Sequence, residues 1–142
     1  MTQRVYHVRV PAEAICLKSV RAFVASAMQD ASEEEVEMVI LALGEACSNV
    51  VQHRAPIPGR DDIDLVMELL PDLVRLRIGC FCARSDLARI HPPQDGAQTG
   101  GSGGLGMQFI GQIMDRVRFE PDPNTPGAMI LVLEKRLGKE TP

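Results

Sequence analysis

Glu45, Asn49 and His53 stand four residues apart in the stretch LALGEACSNVVQH. On a helix the three would share one face, because side chains at i and i+4 lie one above the other. A carboxylate and an amide one turn apart suit a hydrated magnesium ion, and the carboxylate can also take a proton from an attacking water or hydroxyl. Residues of these types on a helix face are more often ordinary solvated positions, so the column alone is a weak signal. A second chemical element is GGSGGLGM, residues 100–107, directly before an apolar periodic stretch. Glycines let backbone N–H groups approach an anion, and a helix N-terminus adds a favourable dipole. No Gly-Lys-Ser/Thr follows, and no strand leads into the run, so it is neither a P-loop nor a dinucleotide fingerprint. As a bare pattern it also reads as a flexible linker.

These residues must be held by a chain of 142 residues, the length of one domain over 1–142, with 45% hydrophobic and 24% charged residues, no Trp and few aromatics. That composition describes an aliphatic core of Val, Ile, Leu and Met. A formal net charge of -4 and a pI near 5.3 argue against nucleic-acid binding through bulk charge and favour a protein partner. No apolar run approaches the roughly 20 residues that span a bilayer, and MTQRVYHVRV alternates instead of forming a signal-peptide core, so a cytoplasmic protein without membrane contact is expected. Cys16, Cys47, Cys80 and Cys82 sit in apolar segments, which suits reduced thiols. The C-x-C pair with His91 and His53, or with another cysteine, matches no common zinc spacing.

The elements follow from periodicity. Val5 to Val10 alternate as a strand that Pro11 ends. Ile15, Val20, Phe23, Val24 and Met28 recur at mostly helical spacing over Glu13 to Met28, with Lys18 and Arg21 outside. Ser32 with Glu35 forms a capping box opening a longer helix that runs to about Arg54, its buried stripe being Val36, Val39, Ile40, Leu43, Cys47 and Val50. Ile63 to Leu70 and Leu73 to Phe81, separated only by Pro71 and Asp72, predict an antiparallel hairpin. Ala83 to Gly104 reads as a long loop, of the kind that is usually a functional lid or disordered. A helix then carries Leu105, Phe109, Ile110 and Ile113, and a final hairpin turns at PNTPG. The order predicts an α+β two-layer fold with helices on one face of a mostly antiparallel sheet.

The E-x-x-x-N-x-x-x-H helix followed about fifty residues later by GGLGMQFI resembles the Bergerat-fold ATPases of gyrase, heat-shock-chaperone and histidine-kinase type. The match is strongest to the short anti-sigma-factor serine kinases, and it covers nearly the whole chain. The resemblance implies a regulatory protein that binds Mg-ATP, phosphorylates a serine on an antagonist protein and sequesters a sigma factor, often as a homodimer. It implies that Glu45 is the general base and Asn49 the magnesium ligand, with His53 on the same nucleotide-facing column. It implies phosphate contact at Gly104 and Gly106, with Leu105 between them. For a dimer it implies Tyr6 to Val10 and Ala14 to Met28, although VYHVRV reads equally as an ordinary edge strand.

Two motifs depart from the family pattern. Its Asp-x-Gly at the end of the central strand, which recognises adenine, reads here as RIGCFCARSD, with Cys80 in place of the Asp, Cys82 in place of the Gly and Arg84 at the next small position. The Gly-Thr of the closing hairpin reads Gly127 and Ala128. A thiol is a poor carboxylate substitute, and an unpaired adenine amino group costs about 1 to 3 kcal/mol. Two functions therefore stand open: a working kinase, or a relative that keeps the fold and binds a protein partner without nucleotide.

Overall fold

The computed structural model describes residues 3–53, 62–80 and 102–138, and for 50–53, 80 and 102–107 the backbone alone. Five strands, β1 (Arg4–Pro11), β2 (Asp62–Leu70), β3 (Leu73–Cys80), β4 (Arg116–Pro121) and β5 (Met129–Arg136), form one sheet in the order β1-β2-β3-β5-β4. Every neighbouring pair is antiparallel. The helices among the described residues are α1 (Leu17–Ala27), α2 (Glu33–His53) and α3 (Ser102–Ile113), with a 3-10 turn at Ala14–Cys16. The α+β architecture predicted from periodicity is thus the observed one.

Alternation on the strands sends Ile63, Leu65 and Met67 of β2, Val74, Leu76 and Ile78 of β3, and Leu131 and Leu133 of β5 to one face. There they meet Val20, Val24, Met28, Val39, Leu43, Cys47 and Ile110 from the helices in one core. Burying a Leu, Ile or Met side chain of this size is worth about 1.5 to 3 kcal/mol, so this face holds the two layers together. Tyr6 turns inward as well and meets Phe23 edge to face, ring centroids 5.4 Å apart.

The capping box forms as expected: Glu35 N–H donates to Ser32 Oγ at 3.1 Å, and Ser32 N–H donates to Glu35 Oε1 at 3.1 Å. The β2–β3 hairpin turns at Pro71 and Asp72, and the β4–β5 hairpin turns through Gly127, whose φ of 86° favours glycine.

Three details differ from the periodic reading. The first helix proper starts at Leu17, because the chain after Pro11 first makes the 3-10 turn, closed by Cys16 N–H on the Glu13 carbonyl. That phase turns Ile15 outward, 78% exposed, and brings Leu17 into the core beside Val20 and Val24. Phe109, expected on the buried stripe of α3, is 37% exposed, while Ile110 carries the contact. Third, the helix at the glycine run begins at Ser102, so Gly103, Gly104 and Gly106 lie inside α3 and not in a loop before it.

On the outer face of the sheet, six charges close a ring. Arg75 bridges Glu68 at 3.0 Å and Glu134 at 2.7 Å; Arg118 bridges Glu134 at 3.3 Å and Glu120 at 2.9 Å; Arg77 bridges Glu120 at 2.9 Å and Glu68 at 3.6 Å. Val132, in register with both Arg77 and Arg118, sits at the hub with no exposed surface, covered by these long side chains.

Candidate functional site

The candidate site lies on α2. Glu45 is half-buried, and Asn49, one turn further along the same face, is 6% exposed. Asn49 Nδ2 is buried and has no hydrogen-bond partner among the described residues. Buried amides are nearly always paired, and an unpaired one costs about 1 to 3 kcal/mol, so this group calls for a reason beyond packing. Rotation about χ2 can present oxygen where nitrogen stands, which makes this a position for a cation or a polar ligand atom.

Two neighbours shape the helix around Glu45. Gly44 faces Arg21 of α1, whose Nη1 and Cδ lie 3.7 and 3.8 Å from where a Cβ would stand. Cys47 is a free, buried thiol; burial pushes its pKa up to about 12 against the opposing charge of Arg21. It is a packing residue, protonated across the physiological range. Cys16 is also free and half-buried.

Cys80 and Ala128, two of the positions that depart from the family pattern, come together at one end of the sheet. Cys80 is the last residue of β3 and is paired in register with Met129, the first residue of β5. Ala128 precedes Met129, is 2% exposed, donates its N–H to the Thr125 carbonyl at 3.0 Å, and accepts at its own carbonyl from Asp122 N–H at 3.0 Å. Gly127 is exposed in the turn. The sequence places these residues nearly fifty apart; the antiparallel register alone makes them neighbours.

In α3 the N–H of Gly104 belongs to the first turn, whose amides have no helical acceptor, whereas those of Leu105 and Gly106 fall where helical bonding begins. Of these three positions, only Gly104 has its N–H in that first turn. The other end of α3 is fixed to the sheet: Lys135 Nζ donates to the Ile113 carbonyl at 2.8 Å, and Asp115 Oδ2 accepts from Arg136 N–H at 2.6 Å. No periodicity or motif flagged Lys135 or Asp115. Cys82 lies outside the described residues, as do the side chains of His53, Cys80 and Leu105.

The histidine kinase-like ATPase domain model matches residues 10–133, from the end of β1 through most of β5. The chain belongs to this family. The resemblance to the Bergerat-fold ATPases holds at that level, and the family is one of ATP-using domains. This histidine kinase-like ATPase domain also shares its fold with a chain in the crystal structure of the SiaB–SiaC complex from Pseudomonas aeruginosa, with a TM-score of 0.59. Sequence identity is 14%, over 93% of this chain and 89% of that one. Among curated proteins none matches it. No helix among the described residues of this ATPase-family domain is long and apolar enough to cross a membrane.

Proposed function

We propose that this domain is an anti-sigma-factor-like regulator of the serine-protein-kinase type, acting in the cytoplasm on a sigma factor or its antagonist protein. The observation that carries the reading is the buried, unpartnered amide of Asn49 one turn from Glu45. The amide fits a magnesium ion held with nucleotide: it carries an oxygen donor of the type magnesium accepts, it is withdrawn from bulk water, and its Nδ2 has no partner among the described residues. Magnesium, when bound with ATP, supplies positive charge against the phosphates.

Glu45 is then the general base. Its carboxylate accepts the proton of a substrate serine hydroxyl as that oxygen attacks the terminal phosphorus of ATP, whose bond to the bridging oxygen breaks so that ADP leaves. Asn49 holds the metal side of the site, and the Gly104 amide donates to phosphate oxygen at the N-terminus of α3. His53 completes the polar column. Family membership and the likeness to a chain crystallised in a two-protein complex support a regulatory role played through a protein partner. A single domain over 1–142, able to pair as a homodimer, is part of the same reading.

A second reading rests on the register that brings Cys80 beside the Met129 end of β5, next to Ala128. With neither an acidic nor a hydroxyl side chain at those two positions, adenine recognition is weakened, and the domain acts as a partner-binding module without nucleotide. Calorimetric titration with Mg-ATP and Mg-ADP, on the natural protein and Asn49→Ala, separates the two. Saturable binding that the variant loses supports the kinase reading, completed by serine phosphorylation that Glu45→Ala abolishes. Absence of binding up to millimolar nucleotide selects the partner-binding module.

A further inference from the structure

The charges of the described surface are distributed unevenly. On the outer sheet face they are spent on one another: the ring of Arg75, Arg77, Arg118 and three glutamates is closed, and Arg9 and His7 pair with Asp62 and Asp64 of β2. Between Ala22 and His53 the chain has six acidic residues and no Lys or Arg. That segment alone carries -6 against -4 for the whole chain, so the remainder is net +2. Four of the six, Asp30, Glu33, Glu34 and Glu37, are exposed and have no cation partner among the described residues.

A helix dipole accounts for acids in the first turn of α2, Glu33 to Glu35, and Glu35 is used internally, its Oε2 accepting from Gly138 N–H at 2.7 Å. The dipole accounts for neither Asp30, before the helix, nor Glu37, beyond its first turn. Glu37 and Glu33 border a groove between the end of α1 and the start of α2, and Asp30 stands in the chain between two of its lining residues, Gln29 and Ala31. Met28, Ala31, Val36 and Ile40 line it, with Glu33 and Glu37 along its side and a volume of about 530 Å3. Val36 and Ile40 are one turn apart and only half-buried; Glu33 and Glu37 are one turn apart in the adjacent column, which Leu41, 49% exposed, continues. An apolar stripe flanked by unpaired carboxylates is the complement of a helix with an apolar face edged by lysine or arginine.

We infer that this groove is a docking surface for a basic amphipathic helix of a protein partner. The partner's apolar face lies along Val36, Ile40 and Leu41, and its cations meet Asp30, Glu33 and Glu37. The surface occupies the N-terminal half of α2, ahead of the Glu45–Asn49 pair on the same helix, with Leu41 one turn before Glu45.

The test uses the full chain, isotope-labelled and free of nucleotide, titrated with a synthetic helix of about 18 residues in which Lys and Leu are ordered amphipathically. Amide shifts confined to residues 28–41, with an affinity that falls as salt rises, are expected. Glu33→Lys with Glu37→Lys should weaken binding at least ten-fold, and Glu37→Gln alone by a smaller factor; both positions are exposed, so the fold is kept, as circular dichroism checks. A scrambled peptide of equal composition binding as well, shifts centred elsewhere, or charge reversal without effect would each overturn the inference. So would concentration-dependent self-association that Glu37→Lys abolishes, because the occupant would then be a second copy of this chain.

Discussion

Cys80 and Met129 are register partners at the end of the β3–β5 ladder, so the last residue of β3 and the residue after Ala128, nearly fifty apart in sequence, form an edge at one end of the sheet. Restoring that edge with Cys80→Asp, Cys82→Gly and Ala128→Thr together is expected to tighten Mg-ATP binding about ten- to a hundred-fold, the equivalent of roughly 1 to 3 kcal/mol. Calorimetry checks it. Unchanged affinity would mean that these positions do not face the base.

Asn49 gives the opposite trade. Replacing a buried amide that has an unpaired Nδ2 by a leucine of similar shape should stabilise the free protein by about 1 kcal/mol, while removing any magnesium-dependent nucleotide binding. Thermal unfolding with and without Mg-ATP measures both effects. A lower melting temperature for Asn49→Leu would show that the amide is satisfied in solution.

The ring on the outer face predicts acid sensitivity. Burial alone would raise the pKa of Glu134, but hydrogen bonds from Arg75 and Arg118 outweigh it and hold the carboxyl below its usual range. The Arg118 hydrogen bond, against some burial and with help from Arg77, does the same for Glu120. For Glu35, burial is outweighed by the amides of Ser32 and Gly138. Each folded-state pKa lies below the unfolded value near 4.3, so the unfolded chain takes up protons first as pH falls. The stabilisation is complete above about pH 5 and is lost progressively through pH 4 and below, which urea midpoints at several pH values will show.

Glu134→Gln should cost about 1 to 2 kcal/mol at neutral pH, since two arginines lose a charged acceptor at the most enclosed corner of the ring. The variant should also show a shallower loss of stability in acid. An equal slope would assign the acid sensitivity elsewhere.

Gly44→Ala should stabilise the fold by about 1 kcal/mol through helix propensity. The new methyl would meet the Arg21 side chain only at ordinary contact distances of 3.7 and 3.8 Å. A fall in melting temperature would show that α1 and α2 pack more tightly in solution than these distances indicate.

The sequence by itself determined the elements and the family. Ser32 and Glu35 announced the start of α2, Pro71 and Asp72 the hairpin, and the spacing of Glu45, Asn49 and His53 placed a polar column on a helix, because capping, turn chemistry and side-chain period are local. Where a short turn shifted the phase, as before Leu17, periodicity misassigned Ile15, since one residue rotates a helical side chain by about 100°. Only the tertiary structure decided that Ala128 adjoins the end of β3, that Asn49 is buried with an atom unpaired, and that six charges from four strands close around Val132. Those are contacts between residues distant in the chain. Strand order and register fix them, and neither is written in any local pattern.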